Sequence, residues 1–274
     1  MIPAQFEYEV AESVDHAIEL LGSGTDAKLL AGGHSLLPLM RLRLARPELL
    51  VDIGRISDLS YLREDGDAIA IGALTRYHDL EGSELLQAEC PILASMAGLV
   101  GDPQVRHRGT IGGSVAHCDP ASDAPAILLA LDAEVVAKGP NGERRLPIAE
   151  SFGGFLQTAL EPTEVLTEIR VPKTGAEGWA YQKFTRRAQD WATVGVAAVR
   201  MNGGAHVGLT NMGPTALRAS GVEDALSSGA DHAAAAERAA EGTSPPSDHN
   251  ASAEYREHLV RVLTRRALEE ALAG

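Results

Sequence analysis

The sequence predicts an α+β chain in two units, a larger N-terminal one and a smaller C-terminal one. Three observations predict it. Short apolar runs alternate with helical stretches through the N-terminal half. Two turn signals, Asn141-Gly142 and Asn202-Gly203-Gly204, sit between apolar runs and mark antiparallel hairpins. The composition shifts near Pro172, beyond which one hairpin gives way to Ala-rich helical sequence.

The first helix runs over DHAIELLG, where Ala17, Ile18, Leu20 and Leu21 share a face and Gly22 stops it. AKLLAGG follows as a short strand, ending where two glycines permit unusual backbone angles. Ser35 then caps a helix carrying Leu36, Leu37, Leu39, Met40 and Leu44, with Pro38 tolerated in its first turn. ELLVDI and DAIAIGALT are strands, and Thr75 is placed to cap the next helix. SELLQAECPILASMAGLV is helical on both sides of Pro91, Ser122 caps a short helix over SDAPAILLAL, and AEVVAKGPNGERRLPI is a hairpin. EVLTEIRVPK closes the first unit and TGAEG links it to the second. There DWATVGVAAVRM and AHVGLTNMG form the second hairpin. GTSPPSDHNAS is too proline-rich to continue a helix, and Ser252 caps the last one, AEYREHLVRVLTRRALEEAL.

The chain has 274 residues, 45% of them hydrophobic, enough for a sizeable core. Its 24 Lys+Arg against 38 Asp+Glu give a formal charge of −14, which repels nucleic acid and anionic membrane surfaces. A local anion site stays open to it, because a few backbone N–H groups neutralise phosphate on their own. No apolar stretch approaches the roughly 20 residues that span a bilayer. The N-terminus shows neither the basic region nor the apolar core of a secretory signal, so the chain reads as cytoplasmic. Cys90 and Cys118 stand apart, without metal-binding spacing. Two thiols do not supply the four thiolates of an ordinary iron–sulfur cluster, so any such cluster belongs on another chain. No metal-binding set or acyl-transfer constellation is visible.

Two stretches carry chemistry. In LLAGGHS, Gly32 and Gly33 lie between a strand and a helix, where the backbone can approach a ligand and turn several N–H groups to one point. GTIGGS repeats the device with Gly109, Gly112 and Gly113, flanked by Thr110 and Ser114. A third stretch, GSGTDA, matches G-x-G-x-x-A, but a helix precedes it and a strand follows, the reverse of a dinucleotide motif. DPASDAP adds Asp119 and Asp123, and a carboxylate can hold the sugar hydroxyls of a nucleotide. Two phosphate-sized cradles and a sugar-holding acid point to a pyrophosphate-bridged dinucleotide. His117 reads as packing behind this site. Arg106, Arg108, Arg186 and Arg187 face the ligand, a partner or solvent.

PAQFEYEVAES, LLAGGHSLLPLMRLRLARPELLVDI, IGALTRYHDL, GDPQVRHRGTIGGSVAHCDPASDAPA and YQKFTRRAQDWATVGVAAV resemble, in that order, the medium FAD-binding subunit of molybdenum hydroxylases. That family includes the subunit of carbon monoxide dehydrogenase and is similar to the flavin domain of xanthine dehydrogenase. The resemblance runs from Ile2 to the last helix, and AGGHS with TIGG at this separation is its most specific mark. It implies a PCMH-type, vanillyl-alcohol-oxidase-like FAD-binding domain of two α/β lobes over residues 1–172. A small α+β domain of the CO dehydrogenase flavoprotein type follows over 173–274, with a three-stranded antiparallel sheet.

The resemblance also implies noncovalent FAD and its site. Lys28, Leu29, Leu30, Ala31, Gly32, Gly33, His34 and Ser35 correspond to the first pyrophosphate loop. Thr110, Ile111, Gly112, Gly113 and Ser114 correspond to the second, and Asp123 to the acid that holds the flavin's sugar-like portion. Leu166 falls where an apolar residue packs on the cofactor, and Lys183 approaches from the C-terminal domain. Trp191 stands where relatives carry Tyr beside the isoalloxazine. Ser114 departs from the usual Asn, and its shorter side chain implies a water-mediated contact. His34 also matches the tethering histidine of berberine-bridge-type oxidases, but those longer chains carry a substrate domain that is missing here.

The activity implied is that of an oxidoreductase subunit in electron transfer. Electrons pass from the [2Fe–2S] clusters of a small subunit through FAD to an external acceptor. A large subunit holds the molybdopterin cofactor, and two copies of each chain form a heterohexamer. The alternatives are a stand-alone flavin oxidoreductase of the vanillyl-alcohol-oxidase type and a scaffold subunit without flavin.

Overall fold

The structure, a computed structural model, describes residues 1–174, 178–201 and 203–273. Its first lobe is a parallel three-stranded sheet in which β1 (Glu7–Val10) and β2 (Ala27–Leu30) flank β3 (Leu49–Asp52). Helix α1 (Val14–Leu21) starts where the Ser13 hydroxyl accepts from the His16 N–H and stops at Gly22. Its Ala17 and Ile18 pack with Val51 and Ile53. Helix α2 (Leu36–Arg41) follows the first glycine stretch. β1 escapes a reading by hydropathy because most of its side chains face solvent. It is held by its ladder to β3 and by the Tyr8 hydroxyl, which donates to Asp52 at 2.6 Å.

The second lobe is built on an antiparallel sheet. Its strands are β4 (Leu62–Asp65), β5 (Ala68–Gly72), β6 (Glu134–Gly139) and β7 (Gly142–Pro147), then, past the small hairpin of β8 (Phe152–Gly154) and β9 (Gln157–Thr158), β10 (Val165–Pro172). The order is β4-β5-β10-β6-β7, so Ile169 sits between Ile71 and Val135 at the centre. The β6–β7 turn is Pro140-Asn141, one residue earlier than the Asn141-Gly142 pair, between the paired Gly139 and Gly142, and Gly142 sits at φ +111°.

Six helices complete this lobe: α3 (Tyr77–Glu81), α4 (Glu84–Glu89), α5 (Pro91–Gly98), α6 (Pro103–Arg106), α7 (Ile111–His117) and α8 (Asp123–Ala130). Pro91 opens α5 at a first-turn position, as its missing N–H allows. Two expected caps are not made. Thr75 turns its hydroxyl to the Tyr61 carbonyl at 2.9 Å and leaves the N-cap of α3 to Arg76. Ser122 occupies the N-cap of α8 without a side-chain bond. For Thr75 the hydroxyl was readable and its competing partner, 14 residues earlier, was not.

The C-terminal unit contains β11 (Trp179–Phe184), β12 (Val194–Met201), β13 (Gly204–Thr210) and β14 (Leu217–Arg218), all antiparallel in sequence order. The sheet thus has four strands where three were expected, because the two-residue β14 is too short to leave a pattern. Residues 175–177 of the expected linker and Asn202 of the expected turn lie outside the described residues. After α9 (Ser220–Ser227) and α10 (His232–Ala236), helix α11 (Ala253–Ala271) begins at Ser252, whose hydroxyl accepts from the Tyr255 N–H.

Both faces of this sheet are covered. Val194, Val196 and Ala198 of β12 pack with Leu259, Val260 and Leu263 of α11, while Ala197 and Val199 join the core of the second lobe. Helix α8 is buried along its whole length, and after Asp123 every residue of it is apolar, as a helix between two layers requires. β13 lies flush on it at Gly208, where an added Cβ would come 1.9 Å from the Ala126 carbonyl oxygen. One face of the C-terminal sheet thus shares a core with the second lobe, and the other has a core of its own with α11.

Candidate flavin site

The first glycine stretch is an open turn. Gly33 sits at φ +77°, a region costly for any side-chain-bearing residue. Gly32 is seated on the second stretch: a Cβ there would lie 2.2 Å from the Arg108 carbonyl oxygen and 2.9 Å from the Gly109 Cα. Among the described residues, the backbone N–H groups of Gly32, Gly33, His34 and Ser35 donate to no protein acceptor. Four successive free N–H groups around a left-handed glycine form an anion-binding concavity. Ser35 makes no side-chain cap to α2, contrary to expectation, because its own backbone is already helical at φ −103°, ψ −49°. The His34 ring faces back to the Gly32 carbonyl at 3.0 Å. Lys28 is exposed on β2, while Leu29 and Ala31 pack against the first lobe's core and Leu30 contacts the turn at Gly33.

The second stretch is not a second open turn. Gly112 and Gly113 lie inside the first turn of α7, and its early N–H groups are already bonded. Ile111 N–H donates to Thr75 O at 3.1 Å, Gly112 N–H to Ala73 O at 3.0 Å, Gly113 N–H to the Thr110 hydroxyl at 3.1 Å and Ser114 N–H to Thr110 O at 3.1 Å. Gly112 is needed for packing, since a Cβ there would lie 2.5 Å from the Ala73 carbonyl oxygen. The two cradles of the sequence reading are therefore one cradle and one helix start pressed against it. What the second stretch can still offer an anion is the positive end of α7 and the Thr110 and Ser114 hydroxyls. Ser114 is held by the buried Tyr77, whose hydroxyl donates to it at 2.7 Å.

Asp123 and Lys183, 60 residues apart, are brought together. Asp123, 8% exposed at the first position of α8, accepts from Lys183 Nζ at 2.8 Å and from the Tyr181 hydroxyl at 2.5 Å. Burial raises the Asp123 carboxyl above its ordinary range, while Lys183 and then Tyr181 pull it down. Lys183 also donates to the Leu99 carbonyl at 3.0 Å. Leu166 is buried in β10 opposite Ala137, within the core of the second lobe. Trp191 lies just before β12, 53% exposed, on the wall of a cleft of about 650 Å³ that Phe155, Asp119 and Arg186 also line.

Three of the remaining arginines have structural partners. Arg106 pairs with Glu81 at 2.8 Å and Arg187 with Asp190 at 3.2 Å, and Arg186 donates to the His249 carbonyl at 2.9 Å. His117 ends α7 half-buried, and desolvation lowers its pKa. Cys90 and Cys118 are buried thiols, pushed up to about 12 and about 11 by desolvation. Sequence reasoning missed Tyr77, Tyr181 and the Arg108 carbonyl. No motif marks them, because each acts through a neighbour.

The free N–H cradle, the hydroxyls beside it and the buried acid fit a dinucleotide with a pyrophosphate, while the cleft that Trp191 lines is walled by none of them. The sequence profile described as the FAD binding domain in molybdopterin dehydrogenase matches residues 4–174. The chain belongs to that family. The profile of the CO dehydrogenase flavoprotein C-terminal domain matches residues 179–271. The medium chain of carbon monoxide dehydrogenase from Hydrogenophaga pseudoflava is 46% identical over 284 residues, covering 100% of this chain and 99% of the relative. Subunit alpha of the 6-hydroxypseudooxynicotine dehydrogenase complex from Paenarthrobacter nicotinovorans is 40% identical over 284 residues, covering 99% and 96%. A solved structure of the Hydrogenophaga carbon monoxide dehydrogenase, lacking the Mo-pyranopterin moiety of its cofactor, superposes with TM-score 0.95 at 48% identity, covering 100% and 99%. This family member is an FAD-carrying subunit of an oxidoreductase, and its relatives are chains of multi-subunit enzymes. Among the described residues, no helix is long and apolar enough to cross a membrane.

Proposed function

We propose that this chain carries FAD in a molybdenum hydroxylase and passes electrons from the [2Fe–2S] clusters of a small subunit to an external acceptor. The observation that carries this reading is the free N–H cradle at Gly32–Ser35, closed by the seat of Gly32 on Arg108. When bound, FAD supplies chemistry that links single-electron carriers to an acceptor.

The chain's own residues would then bind and position. Gly32, Gly33, His34 and Ser35 N–H groups neutralise one end of the pyrophosphate, and Lys28 adds charge nearby. Thr110 and Ser114 offer hydroxyls, with Ile111, Gly112 and Gly113 setting the helix that presents them. Asp123 accepts from a hydroxyl of the flavin's sugar-like chain while Lys183 balances its charge. Leu29, Leu30, Ala31 and Leu166 give apolar walls, and Trp191 covers the ring and excludes water. The working unit is a cytoplasmic heterohexamer with two copies each of this chain, the cluster-bearing small subunit and the molybdopterin large subunit. The domain division falls at residues 172 and 173.

The test is affinity purification of the tagged chain from its own cells. Two further chains should come with it, one with the EPR signals of [2Fe–2S] clusters and one with molybdenum. A chain that comes alone and bleaches its own flavin with an organic donor would be a stand-alone oxidoreductase.

A further inference from the structure

The C-terminal sheet reaches into the flavin-binding unit at one point. β11 delivers Tyr181 and Lys183, on the same face two residues apart, to the two oxygens of Asp123 at the start of α8. Two glycines make this possible. Gly195, opposite Lys183 on β12, leaves room for the Tyr181 hydroxyl, which would lie 2.8 Å from a Cβ placed there. Gly208 lets the same sheet press onto the Ala126 carbonyl. Tyr181 is buried and its hydroxyl is committed to Asp123 at 2.5 Å.

We propose that Tyr181 is a positioning residue for FAD: with Lys183 it fixes the Asp123 carboxyl group in one rotamer, so that its free lone pairs face the cofactor's hydroxyls. This rests on the reading of Asp123 as a cofactor-binding acid. A carboxylate has about four acceptor sites, and Tyr181 and Lys183 use one on each oxygen, leaving capacity for a ligand. Burial pushes the Asp123 carboxyl above its ordinary range, and the ammonium and then the hydroxyl pull it part of the way back. The titratable groups facing Asp123 are Lys183 and Tyr181 from β11 and Tyr77 from α3. The C-terminal unit is thereby part of the cofactor site, although it supplies no glycine loop.

The test uses the complex as purified, stripped of flavin and titrated with FAD by fluorescence quenching between pH 5.5 and 8.5. Tyr181→Phe keeps the ring and removes one hydrogen bond to a charged group, so FAD affinity should fall about tenfold. The loss should deepen as pH falls, because Asp123 without its donor protonates at higher pH. Tyr77→Phe is the control: it removes an equally buried hydroxyl that serves Ser114, and its effect on affinity should carry no added pH dependence. Wild-type affinity in Tyr181→Phe, or a loss with the same pH profile as Tyr77→Phe, would overturn the proposal. Wild-type complex that binds no FAD would instead overturn the flavin reading itself.

Discussion

Gly32 and Gly33 are neighbours with different needs. Gly33 needs its left-handed φ, and Gly32 needs the absence of a Cβ against the Arg108 carbonyl. Gly33→Ala should lower stability by about 1 kcal/mol for that backbone region, plus the cost of moving the Leu37 side chain, whose Cδ1 would lie 2.9 Å from the new methyl. Gly24→Ala isolates the backbone cost alone, with φ +83° and nothing within 4 Å of the new methyl. Gly32→Ala forces the two stretches apart, and the complex should lose most of its flavin. Urea midpoints and flavin content per chain check the set; normal flavin in Gly32→Ala would show that the seat on Arg108 is dispensable. At this scale much was legible. AGGHS and TIGG announce close backbone approach, and Asp123 announces a polar need. Which N–H groups stay free was not legible, because the acceptors for α7 come from Ala73 and Thr75, nearly 40 residues earlier.

Elements were legible where periodicity or turn chemistry was local. The β6–β7 hairpin formed as read, with its turn one residue earlier at Pro140-Asn141, and so did the capped start of α11. β1, β14 and the β8–β9 hairpin were not, being short or exposed, and so were the ion pairs that fasten loops to strands. Arg144 of β7 grips Glu164, just before β10, through two bonds of 2.6 and 2.7 Å. That contact holds the Glu164 carboxyl below its ordinary range. In the fold Glu164 stays ionised where the unfolded chain is protonated. Its contribution is therefore complete above the unfolded value of about 4.3 and is lost as pH falls through the lower folded value. Glu164→Gln should cost on the order of 1 kcal/mol at pH 7, as a bidentate half-buried pair does. Its urea midpoint should also fall less steeply than wild type below about pH 4.5. Parallel acid profiles for the two proteins would contradict this assignment.

At the scale of the molecule, the composition shift near Pro172 marks a change of element type and not a break in packing. Ala197 and Val199 of the C-terminal sheet share a core with Ile127 of α8 and Ile169 of β10. Sequence could not show this, since β12 carries apolar residues on both faces and nothing in the chain says what covers each. Gly208→Val should lift β13 from α8 and cost about 1–3 kcal/mol by overpacking, more if the sheet detaches. It should also weaken flavin retention, because Lys183 and Tyr181 reach Asp123 only while that sheet is seated. Unchanged stability with weakened flavin binding would break the link between the two.

The central claim is that these residues hold one FAD without a covalent bond. Its most direct measurement is acid precipitation of the purified complex, followed by chromatography of the released flavin against the amount of this chain. The account predicts FAD in the supernatant at about one per chain, and its loss in Gly32→Ala. Flavin retained in the pellet would mean a covalent tether, with His34 the first residue to test. A wild-type complex devoid of flavin would contradict the account outright.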